Sequence, residues 1–177
     1  MSNAERYTRV AIILHWLIAI GVLAQIALGW WMIEIPKSPP GVRAYWFNVH
    51  KSIGLTLGML ILLRVVWRFT QGAPPLPEGL PQWQKLAAKV SHYAMYACMI
   101  IMPVSGYLGS SFTKYPIKYF GYTLPHWGWD APAYKEICSQ VHYATVIIFM
   151  VLIALHFAAA VKHMIARDGV IQRIPRW

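Results

Sequence analysis

Apolar residues gather into four long runs, at about residues 10–33, 45–67, 90–108 and 141–163. The first is uncharged for 24 residues, longer than the apolar region of a secretory signal, and no small-residue cleavage site follows it. It is expected to stay in the mature protein. Lys51 interrupts the second run, and Arg64 and Arg68 follow at its inner end. Each run suffices to cross a bilayer as a helix, the conformation that satisfies its own backbone polar groups in lipid. Pro36, Pro39 and Pro40, and then Pro74, Pro75, Pro77 and Pro81, mark the first two connections as non-helical. The longest connection runs from Ser110 to Gln140 and holds Pro116, Pro125 and Pro132. There is no internal repeat. The pattern predicts an all-α membrane protein, a four-helix transmembrane bundle formed as one domain over residues 1–177.

Composition agrees with that class. The chain is 58% hydrophobic and 12% charged, against roughly 25% charged residues in soluble proteins. A net charge of +10 could suggest nucleic acid, but most of the basic residues flank the apolar runs, as anchors at lipid headgroups do. Nucleic acid is therefore excluded as a partner and membrane lipid expected. Nine Trp and ten Tyr, many near the ends of the runs, fit interfacial aromatic belts. With the N-terminus inside, ten Lys and Arg fall on the inner side, from Arg6 to Arg176, and six on the outer. That bias predicts an N-in, C-in topology. The outer six, Lys37, Arg43, Lys51, Lys114, Lys118 and Lys135, still make an unusually basic outer face.

The chemistry is carried by histidine. His142 and His156 are fourteen residues apart, which in a helix gives nearly the same face and a rise of about 21 Å. One imidazole then lies near each surface of a hydrocarbon layer about 30 Å thick. His15 enters the first run from the inner side at the depth of His156, and His50 lies near the outer start of the second run at the depth of His142. The four predict two His–metal–His clamps, with haem b as the natural occupant of each. Bis-imidazole ligation leaves no open coordination position, which favours electron transfer over oxygen binding. A lone membrane histidine can instead bond a neighbouring helix, and a proton path or non-haem metal site would also use such residues. No Cys-x-x-Cys-His sequence is present, which excludes covalent haem attachment. Cys98 and Cys138 differ too much in depth to bridge and read as structural.

Other residues could serve the same centres. Gly54 and Gly58 bare one face of the second helix after His50, either for a flat ring or for plain helix packing. Arg64, fourteen residues after His50, could pair the carboxylates of the inner haem or snorkel to headgroups. His163 continues the face of His142 and His156, one heptad nearer the inner surface, and suits a quinone headgroup or a haem propionate. His92 could do either job, and both could be interfacial residues. His126, beside Trp127 and Trp129, is expected at the surface of the outer loop.

The strings HWLIAIGVLA, FNVHKSIGLTLGMLILLRVVWR, SHYAMYACMIIMPVSGY and KEICSQVHYATVIIFMVLIALHFAAAVKH resemble the bacterial cytochrome b-561 family, in collinear order over nearly the whole chain. The resemblance implies a four-helix, di-haem b cytochrome of the bacterial inner membrane with His15, His50, His142 and His156 as haem ligands. It also implies a redox activity, superoxide:ubiquinone oxidoreductase, with ubiquinone as acceptor. Other members of the family serve different periplasmic redox partners, so an electron carrier between the quinone pool and a periplasmic redox protein is the second expectation. A haem-bearing membrane anchor subunit of a larger redox complex is the third. A basic outer mouth at Lys51, Lys114 and Lys118 would steer the superoxide anion toward the outer haem. The same lysines would equally hold lipid phosphates or an acidic partner.

Overall fold

A computed structural model describes residues 6–125 and 128–173. His126, Trp127 and Arg176 lie outside the described residues. Four helices dominate: α1 (Arg9–Glu34), α2 (Val42–Gln71), α3 (Gln82–Ser111) and α4 (Pro132–Ala166). They hold 26, 30, 30 and 35 residues, and at about 1.5 Å per residue each outreaches a hydrocarbon core of roughly 30 Å. The helices therefore extend past the apolar runs. In particular, residues 132–140, expected in the long outer connection, form the first turns of α4.

Local chemistry sets the helix ends. Thr8 caps α1 by accepting the Ala11 N–H at 3.2 Å, and its hydroxyl also accepts Trp67 Nε1–H at 3.0 Å. One threonine thus ties the start of α1 to the end of α2. Gly72, at φ +70°, ends α2 in a conformation that favours glycine. At the opposite end Arg43 donates to the carbonyls of Ile33 and Ile35 at 2.8 and 2.6 Å, closing the first connection.

Three of the four helices, α1, α2 and α4, are long and apolar enough to cross a membrane. The third falls short of the expectation from its uncharged run, because Ser91, His92, Tyr93, Tyr96 and Pro103 dilute its apolar residues. The outer connection also carries a short hairpin that the apolar pattern did not predict. Strand β1 (Ile117–Tyr119) pairs antiparallel with β2 (Tyr122–Leu124). Phe120 and Gly121, both at positive φ, form the two-residue turn between them, in keeping with the twist of paired strands. The hairpin is pinned to α2: Ser52 Oγ accepts Phe120 N–H at 2.9 Å, and the Thr56 and Tyr119 hydroxyls lie 3.1 Å apart. Ser52 and Ile117 are almost wholly buried at this contact.

Close backbone packing joins α1 to α2, α2 to α3 and α3 to α4. Among the described residues it is sparse between α4 and either α1 or α2. Facing side chains bridge that separation, and they are imidazoles.

Candidate functional site

At the end of the bundle that carries the hairpin, expected to be the outer one, His50 of α2 and His142 of α4 face each other with ring centroids 6.3 Å apart and planes at 72°. The His142 ring is oriented from α3. Its Nδ1 lies 3.0 Å from the Met102 carbonyl and 3.1 Å from Ser105 Oγ. A carbonyl only accepts, so Nδ1 carries the proton and Nε2 keeps its lone pair for a ligand bond. Glycines back both rings. A Cβ at Gly106 would sit 3.4 Å from His142 Cε1, and one at Gly29 would sit 3.3 Å from His50 Cε1. Gln25 Nε2 donates to the His50 carbonyl at 2.7 Å, and His50 Nδ1 is buried without a hydrogen-bond partner.

At the opposite end, expected to be the inner one, His15 of α1 faces His156 of α4 at 6.2 Å and 69°. His92 of α3 stands at 5.8 Å and 72° from the same His156 ring. The level of His92 is readable from the sequence, but its contact with His156 is not. His15 and His156 are half-buried, whereas His92 is exposed. Arg64 reaches the same region, where its Nη1 donates to the Ala11 carbonyl at 3.0 Å.

The remaining candidates are placed less centrally. His163 Nδ1 meets Asp168 Oδ2 at 2.5 Å beyond the last turn of α4. Burial alone would push the Asp168 carboxyl up, but the bonds from His163 and from Val170 N–H hold it below the ordinary carboxylate value. Lys51 is half-buried beside His50, while Lys114 and Lys118 are exposed. The Lys118 carbonyl lies 3.3 Å from Ser52 Oγ, so the hairpin brings its backbone next to the Lys51 position. Lys114 lies over the Tyr115 ring. Of the two glycines offered as a bare face for a flat ring, Gly54 abuts Gln25 and Gly58 abuts Pro103. Both serve helix packing. The glycines that do back the imidazoles, Gly29 and Gly106, carry no signal in sequence beyond lying at the depths of His50 and His142. Cys98 is buried and Cys138 half-buried, and both are free thiols.

Long apolar helices with imidazoles facing one another in two pairs point to a multi-pass membrane cytochrome. The comparisons agree. The family described as prokaryotic cytochrome b561 matches residues 6–176. The chain is 34% identical to cytochrome b561 homolog 2 of Escherichia coli K12, over 98% of this chain and 93% of that protein. It is 23% identical to cytochrome b561 homolog 1 of the same organism, over 96% and 97%. It is 31% identical to cytochrome b562 of Cereibacter sphaeroides over 60% of this chain and 67% of that one. The chain belongs to the prokaryotic cytochrome b561 family, and is a membrane electron carrier of the haem b type.

The residues present fit that group. A ligating nitrogen sits about 2 Å from a bound metal, so two imidazoles on opposite sides of one ion have centroids about 6 Å apart. Both pairs meet that spacing. His142 has the hydrogen-bonded second nitrogen usual for a metal-ligating imidazole.

Proposed function

We propose that this chain binds two b haems, one between His50 and His142 and one between His15 and His156. It carries electrons across the bacterial inner membrane from superoxide outside to ubiquinone, with both termini inside. The observation that supports this most is the facing of imidazoles in two pairs on helices whose backbones stand apart. When bound, haem b would supply a one-electron couple at each pair, held by the two imidazoles.

The chain's own residues divide the work. Met102 and Ser105 fix the His142 ring. Arg64 offers a cation at the inner level for haem carboxylates, with His92 beside it. Lys51, Lys114 and Lys118 make the outer end electropositive, which raises the local concentration of a small anion. At the inner end Asp168 engages His163 through Nδ1, leaving its second ring nitrogen to face a quinone oxygen. In the overall reaction, two superoxide anions each give up one electron to leave dioxygen. Those two electrons and two protons convert ubiquinone to ubiquinol.

The visible spectrum of the purified protein, oxidised and reduced, tests the binding half. Two low-spin, six-coordinate b haems per chain are expected, and one haem, or high-spin haem as prepared, defeats the two-clamp reading. Rapid mixing with superoxide tests the donor. Haem reduction should be fast, should slow as salt screens the basic mouth, and should slow on charge reversal at Lys51, Lys114 or Lys118 without haem loss. Indifference to both would favour a periplasmic protein donor docking on the outer connection, where Tyr115, Phe120 and Tyr122 are exposed.

A further inference from the structure

The inner site holds three imidazoles where a clamp needs two. His156 is common to both of the available pairings: the His15 ring lies 6.2 Å from it at 69°, and the His92 ring 5.8 Å from it at 72°. The two approaches are almost equal in distance and inclination, and both match the separation of about 6 Å that two rings on one metal require. We propose that His92 is a reserve axial ligand, able to take the position opposite His156 in place of His15. This rests on the reading of His15 and His156 as a haem clamp.

Exposure sets the order of the two. His15 is half-buried on α1, so its place beside His156 is fixed by packing, and it is the resident ligand. His92 is exposed, so less packing holds it than holds His15. The outer site has no such option. Among the described residues His142 is the only imidazole found against the His50 ring, and His142 is itself held by Met102 and Ser105. The inner site is thus tolerant of losing one particular ligand, and the outer site is not.

The test is haem content together with the visible and electron paramagnetic resonance spectra of His15→Ala, His92→Ala, the double variant and His156→Ala. The outer haem in each preparation reports that the bundle has assembled. His15→Ala should keep two haems per chain, both low-spin, with a changed low-spin resonance for the inner one because a different ring is bound. His92→Ala should keep two low-spin haems, because His15 still holds the inner one, and should lose only its contact beside Arg64. The double variant should lose the inner haem, halving the haem-to-protein ratio, or turn it high-spin. A high-spin or missing inner haem in His15→Ala, with His92 intact and the outer haem present, overturns the proposal. His15→Gln serves as the second variant should alanine prevent assembly, and loss of the inner haem there overturns it equally. Failure of the underlying clamp shows separately, as an inner haem that survives His156→Ala.

Discussion

The outer and inner imidazole groups share α4 and have nearly the same spacing, yet they are held in different ways. Hydrogen bonds from α3 fix the outer His142, glycines on α1 and α3 back both outer rings, and a hairpin pinned to Ser52 and Thr56 covers the adjoining stretch of α2. The inner rings have no comparable scaffold. Among the described residues neither His15 nor His156 makes a hydrogen bond, and their surroundings are Trp16, a third imidazole and the Arg64 guanidinium. A ring held through its second nitrogen has one orientation and one tautomer. A ring held by packing alone can share its metal position with a neighbour. The contrast separates an end held by hydrogen bonds from one held by packing.

Crowding the outer rings should give the largest difference. Gly106→Leu puts side-chain atoms where a Cβ alone already approaches His142 at 3.4 Å. Overpacking of this kind costs about 1–3 kcal/mol, so outer haem retention should fall roughly tenfold while the inner haem stays, as measured by haem titration into apoprotein. An equal loss at both haems would mean that the outer backing is not specific to its own ring.

A smaller effect is expected of Ser105→Ala. It removes one partner of His142 Nδ1 and leaves the Met102 carbonyl. The loss of one hydrogen bond, about 1 kcal/mol, should weaken outer haem binding about fivefold and shift only the outer potential. A shift of the inner potential instead would assign His142 to the wrong centre.

The smallest effect belongs to the inner surface, where Asp168→Asn frees the segment after α4 from His163. The carboxyl of Asp168 titrates below its ordinary value in the folded chain. Its contribution is therefore complete above the ordinary carboxylate range and disappears as pH falls through the depressed folded value. Amide exchange over residues 168–173 should be faster in the variant at neutral pH, and the two proteins should converge in acid. A gap that widens in acid would contradict the assignment.

The helices and the two histidine levels were legible in the sequence because membrane thickness turns residue spacing into depth. His15 with His156 and His50 with His142 follow from counting alone. The lateral details were not, because depth says nothing about which neighbour a side chain meets. Gly54 and Gly58 share the right face of α2 but meet Gln25 and Pro103, while Gly29 and Gly106, on other helices, meet the imidazoles. His92 shows the same limit: its level was readable, but its approach to His156 depends on how α3 leans on α4. The hairpin escaped because its strands are three residues each, too short for an alternating pattern to declare itself.

The central claim, two separate centres at two depths along α4, is tested most directly by redox titration of His142→Ala beside His156→Ala, followed by optical spectra. The account predicts that His142→Ala removes or converts one haem component and leaves the other at its wild-type potential, and that His156→Ala does the same to the opposite component. If both substitutions damage the same component, the two histidines serve one centre and the account is wrong.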